Sequence, residues 1–139
     1  MNPTPRIRKL AEINGIEVTG FVDDILPYYH QADIFVSPFQ IARGIQNKIL
    51  QAFACGLPVI ASSLGAEGIN YRDGENILIA NTPENFISYV HRLMEDKNSH
   101  TKMSQNAREL INQQYSWDSH LKILDQTLSN LSANKAKIN

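Results

Sequence analysis

Three short apolar runs, Ile34-Phe35-Val36, Val59-Ile60-Ala61 and Ile77-Leu78-Ile79, constrain what this chain can fold into more than any other feature. Each is rich in branched residues and bounded by turn formers, the pattern of strands buried on both faces of a parallel sheet. Parallel neighbours need a crossover connection, and the first two runs have one between them. From Gly44 to Cys55, the residues Ile45, Ile49, Ala52 and Phe53 recur at i, i+4, i+7 and i+8, the spacing of a helix packed on a sheet. Gly56-Leu57-Pro58 then pairs a residue tolerant of left-handed backbone with a helix breaker and delivers the chain into the next strand. The unit is strand, helix, strand, and the fold class is α/β.

The flanking segments extend this pattern. Ile7, Leu10 and Ala11 predict a helix over Arg6 to Ile13, stopped by Asn14-Gly15. Ile16-Glu17-Val18-Thr19-Gly20-Phe21 alternates like a half-covered strand, which brings the sheet to about four strands. Asp23 or Asp24 can cap a second helix carrying Ile25, Tyr28 and Tyr29. Thr82-Pro83-Glu84 combines cap, first-turn proline and acid, and opens a helix with Phe86, Val90, Leu93 and Met94 on one side. A further helix is expected over Ser99 to Gln114, and Ser116-Trp117-Asp118 opens a last one, striped by Leu121, Leu124, Leu128 and Leu131. We read residues 1–115 as one binding domain and 116–139 as its closing helix and frayed tail.

Composition narrows the function classes. A chain of 139 residues with 42% hydrophobic side chains can build one core. Thirteen basic against fourteen acidic residues leave a charge of -1, without the basic excess that draws nucleic acid. One cysteine, Cys55, excludes an internal disulfide framework and fits a reducing compartment. No stretch reaches the roughly 20 apolar residues that span a bilayer. The expected location is cytoplasmic, with peripheral contact to an inner membrane left open.

Ligands of open parallel sheets bind beyond the carboxyl ends of the strands. Two segments lie there: Ser37-Pro38-Phe39-Gln40-Ile41-Ala42-Arg43-Gly44, and Ser62-Ser63-Leu64-Gly65-Ala66-Glu67-Gly68. The first runs into a helix start near Ile45, where backbone N–H groups and close approach at Gly44 favour an anion. Arg43 and Lys48 supply charge, and a diphosphate fits. Gly44, Asn47, Lys48 and Gln51 form a polar stripe that faces either a ligand or solvent. Glu67 is equally a site acid, a cap or a surface residue. Ser62-Ser63 lacks a nucleophile elbow and is read as a loop. His30, His91, His100 and His120 have no partner acid at motif spacing, so no catalytic residue, metal ligand or cofactor site is assigned. Trp117 and Cys55 read as packing residues.

Ala32-Asp33-Ile34-Phe35-Val36-Ser37-Pro38, Gly44 to Ala54, Gly56-Leu57-Pro58-Val59-Ile60-Ala61-Ser62, Asp73-Gly74-Glu75-Asn76 and Tyr115-Ser116-Trp117 follow in the order and spacing of a known family. The chain resembles family 4 glycosyltransferases of the GT-B fold, in their carboxyl-terminal, Rossmann-like half. Ala42 to Lys48 is similar to sugar transferases that accompany exosortase-type exopolysaccharide systems.

The resemblance implies a retaining hexosyltransferase that binds a nucleotide-diphosphate sugar through Arg43, Gly44, Ile45, Asn47, Lys48 and Gln51, with Ser37, Gly65 and Glu67 in the donor loops. It implies a glycan or lipid-linked acceptor held by an amino-terminal domain, and no activity of this portion alone. Many members carry two glutamates seven residues apart where this chain has Arg43 and Gln51. Gln51 keeps an acceptor without the charge, a loss of about 1 kcal/mol at the ribose. The alternative is a non-catalytic nucleotide-sugar-binding or interaction module. By resemblance, two further strands would lie between the Ile16–Phe21 and Ile34–Val36 strands. A chain without them must pair the two directly or leave an edge open to a homodimer.

Overall fold

The computed structural model describes residues 3–41 and 44–115. They form two units, the first ending at Gln31 and the second beginning at Ala32.

In the first unit, α1 (Pro5–Arg8) starts on a Thr4 cap with proline at its first position, and a 3-10 turn (Lys9–Glu12) follows directly. The expected Arg6–Ile13 helix is thus split into an α turn and a tighter one. Gly15 at φ +87° stops it. Asp24 Oδ1 accepts from the Leu26 amide at 2.9 Å and starts α2 (Leu26–Gln31). Ile16 to Phe21 pairs with no strand among the described residues. Its alternation suits a strand, but a strand exists only through a hydrogen-bonded neighbour. The expected fourth strand is therefore corrected to three.

The second unit holds the sheet. Strands β1 (Phe35–Ser37), β2 (Val59–Ala61) and β3 (Leu78–Ile79) lie in that order, all parallel, with Phe35 beside Val59 and Ile60 beside Leu78. Helix α3 (Asn47–Ala54) is the crossover between β1 and β2. It begins two residues later than the expected start near Ile45. Gly44 at φ +73° cannot extend a right-handed helix, and Gln46 sits extended as the cap. Ile49, Ala52 and Phe53 are fully buried, as the periodicity required.

The opposite sheet face is covered by α4 (Pro83–Glu95), capped by Thr82. There Ile60, Leu78, Ala80 and Leu93 form a core with Met103 of α5 (Lys97–Gln114), and Ile34, Phe86, Tyr89 and Val90 pack on it. Asp96 caps α5. Where α3 ends, Gly56 adopts φ +75°, the Arg108 side chain lies where its Cβ would be, and Arg108 and Ser104 donate to the carbonyls of Cys55 and Gly56. The Asp73-Gly74-Glu75-Asn76 motif is a turn into β3. Asp73 Oδ1 accepts from the Ile79 amide at 2.9 Å, and Gly74 at φ +80° donates to the Ile77 carbonyl at 2.8 Å. Among the described residues, no helix is long and apolar enough to cross a membrane. The expected closing helix, with Trp117, lies outside the described residues.

Candidate functional site

The carboxyl ends of β1 and β2 run into the two segments singled out in the sequence, and the structure brings these segments together. The Ser62 amide donates to the Ser37 carbonyl at 3.1 Å. A Cβ added to Gly65 would stand 3.1 Å from Ser62 Oγ and 3.2 Å from the Ser37 carbonyl oxygen. One added to Gly68, whose φ is +79°, would stand 3.0 Å from Ile45 Cγ1 and 4.0 Å from the Ile45 amide nitrogen. Gly65 is favoured because the β1 backbone comes close to it, and Gly68 because of its positive φ and the Ile45 side chain against it.

Helix α3 opens at this junction. Its cap residue Gln46 makes no side-chain bond to the helix and instead donates from Nε2 to the Gly44 carbonyl at 3.1 Å. Helices α1, α4 and α5 are all capped by a Thr or Asp oxygen. The first turn of α3 carries no acidic side chain and contains Lys48. A helix amino terminus of this kind attracts an anion through its N–H groups and its dipole, by about 0.3–1 kcal/mol before any charged side chain is added.

Of the expected donor-binding residues, Gly44, Ile45, Asn47 and Lys48 sit at this mouth, exposed. Gln51 is exposed on α3 one turn further along, about 6 Å down the axis at 1.5 Å per residue. Arg43 lies outside the described residues. The polar stripe lies opposite the buried Ile49, Ala52 and Phe53. Ser37 is only 2% exposed, and its Oγ is the one buried side-chain polar atom without a partner among the described residues. Strand alternation places it on the α3 face, since Ile34 packs on the α4 side. Glu67 is exposed in the second loop.

Two residues outside the expected donor set hold the edge together: Ser62, read from the sequence as a loop residue, and Asn81, which the sequence reading did not single out. Ser62 Oγ donates to the Phe39 carbonyl at 2.5 Å and accepts from the Gly65 amide at 3.0 Å. Asn81 Oδ1, just past β3, accepts from both the amide and the hydroxyl of Ser63 at 3.0 Å. A serine pair after a buried strand was the available signal, and it indicates loop bonding rather than chemistry. On the α4 side of the same edge, Val36, Pro38, Phe39, Leu64, Phe86 and Ile87 help line a cavity of about 510 Å³ with no charged residue in its wall. A diphosphate would find no counter-charge there. No group of His, Cys, Asp and Glu among the described residues could hold a metal ion.

Residues 2–96 match the family model described as glycosyl transferases group 1. The chain belongs to this glycosyltransferase family. It is 29% identical over 124 residues to an uncharacterized glycosyltransferase of Methanocaldococcus jannaschii, covering 84% of this chain and 32% of that protein. Among solved structures, the carboxyl-terminal domain of the group 1 glycosyl transferase LpcC from Francisella tularensis superposes with a TM-score of 0.67 at 24% identity, over 81% of this chain and 60% of that one. Anabaena HepE, solved in complex with UDP, gives a TM-score of 0.75 at 20% identity, over 90% of this chain and 35% of that one. The three-stranded sheet with its helices is therefore part of a GT-B glycosyltransferase domain, and the chain spans about a third of the curated glycosyltransferase it matches.

Proposed function

We propose that this chain is the donor-binding portion of a retaining glycosyltransferase that takes a nucleotide-diphosphate sugar. The observation that carries the reading is the uncapped amino terminus of α3 at the carboxyl edge of the sheet, beside Gly44 and free of acidic side chains in its first turn. In this reading the diphosphate lies against Gly44, Ile45 and Asn47, with Lys48 and Arg43 supplying positive charge. Gln51, one turn down, reaches the ribose or the sugar. Ser37, Gly65 and Glu67 belong to the loops around it. HepE, which shares the fold, was solved with UDP, so uridine diphosphate is the first nucleotide to test.

The chemistry open to such a site is positioning and charge stabilisation as the sugar leaves the phosphate. The acceptor, a glycan or lipid-linked sugar, would be held by an amino-terminal domain. The process would be cytoplasmic polysaccharide biosynthesis of the exosortase-associated kind, and this portion alone would not transfer sugar.

Calorimetric titration with UDP and GDP, of this chain and of a form extended at its amino terminus by a second domain, tests the reading. Saturable binding that tightens in the extended form supports it, and an extended form that binds neither nucleotide removes it.

A further inference from the structure

We propose that Ser62 is a positioning residue: its hydroxyl locks the loop after β1 to the loop after β2 and so sets the mouth of α3 for the donor. The proposal rests on the donor reading above. Ser62 directly follows β2 and is 8% exposed. All its polar groups are used, two toward each loop. Its amide donates to the Ser37 carbonyl and its hydroxyl to the Phe39 carbonyl, while its hydroxyl and carbonyl accept from the amides of Gly65 and Ala66.

The hydroxyl differs from the other groups in what it joins. The backbone bonds of Ser62 continue the β1–β2 pairing and open the next turn, and they survive any side-chain change. The hydroxyl alone reaches past the strand end, to Phe39 in a surface loop where Phe39 is 39% and Ile41 83% exposed. From Ser62 the contact passes through the turn that holds Gly65 to Gly68, which abuts Ile45 two residues before α3 begins. Loop, hydroxyl, turn and helix mouth thus form one connected path.

Removing the hydroxyl leaves the Phe39 carbonyl and the buried Gly65 amide to find other partners. The buried core on the α4 face, centred on Ile60, Leu78 and Leu93, does not depend on that bond. The loop loosens while the fold persists.

The test compares the 139-residue chain with Ser62→Ala and Ser62→Thr by amide hydrogen exchange and by UDP titration. In Ser62→Ala, the amides of residues 39–41 and of Gly65 should exchange faster and those of Ile49, Phe53 and Ile60 as in the parent. UDP affinity should fall by roughly tenfold, the scale of one lost hydrogen bond. Ser62→Thr, which keeps the hydroxyl, should restore both. Parent-like loop exchange in Ser62→Ala overturns the latch, and loss of core protection reassigns Ser62 to the fold. If neither the chain nor its amino-terminally extended form binds UDP or GDP, the donor reading sinks instead, and with it the positioning role.

Discussion

At Gly65 a single methyl group is enough to test how tightly the two edge loops meet. A Cβ there would press on Ser62 Oγ, the Ser37 carbonyl and Ser37 Oγ at 3.1 to 3.4 Å. Two of these three neighbours are side-chain hydroxyls and one is backbone, so Gly65→Ala should destabilise by about 1–3 kcal/mol, read as a lower denaturant midpoint. Gly56→Ala should cost about 1–2 kcal/mol through its φ of +75°, the flexible end of Arg108 moving aside. An unchanged midpoint would mean that the close approach at Gly65, or the left-handed backbone at Gly56, is not there. The sequence made Gly56 readable, since it stands where a helix stops and left-handed backbone favours glycine, whereas Gly44 was read for close approach to a ligand and its φ of +73° came from the fold. It did not reveal how Ser62 and Asn81 hold the edge. Their roles are bonds to carbonyls and amides 18 to 23 residues away, and no local pattern encodes such distances.

Among the elements, α5 shows how one side chain starts a helix and how pH acts on it. Asp96 accepts from the amides of Asn98 and Ser99 at 3.0 Å and from the Ser99 hydroxyl at 2.6 Å. The hydroxyl bond first, then the amide bonds, holds its carboxyl below the ordinary value of 3.8. A depressed folded-state value stabilises the fold above the unfolded value, and that contribution is lost as pH falls through the folded one. Asp96→Asn should therefore lower stability at neutral pH and converge with the parent as pH falls below about 4, flattening the acid end of the profile, which thermal melts across pH 3 to 7 would show. A stability gap between variant and parent that widens toward acid pH would contradict this. The sequence placed α5 two residues late, at Ser99, because the Asp96 cap follows α4 without a loop.

The strands were legible for a different reason. β2 declares itself because burial on both faces demands a continuous apolar run, β1 carries such a run although its Val36 is 42% exposed, and the helix between them is legible because its buried residues recur at helical spacing. Ile16 to Phe21 has the strand pattern without the strand, since a neighbour at hydrogen-bond distance is not written in the segment itself.

For the molecule as a whole, the crossover residue Phe53 is the strongest single anchor described: fully buried on α3, it should cost about 3–5 kcal/mol as Phe53→Ala, measured by urea unfolding. Among the described residues β1 pairs with β2 alone. Membership in the glycosyltransferase family rests on the match to residues 2–96 and does not depend on any of these outcomes. The donor site does depend on geometry, and its parts differ in how readable they were. The mouth of α3 was visible as a glycine before an amphipathic run, while the placing of Gly68 against Ile45 needed the fold.

The central claim is that a diphosphate rests on the first turn of α3. Titration of the isotope-labelled chain with UDP, followed by amide chemical shifts, examines it residue by residue. The account predicts that the largest shifts fall on Gly44, Ile45, Asn47 and Lys48 and saturate together. Shifts confined to the uncharged cavity around Phe39, Leu64 and Ile87, or none at any accessible concentration, would contradict it.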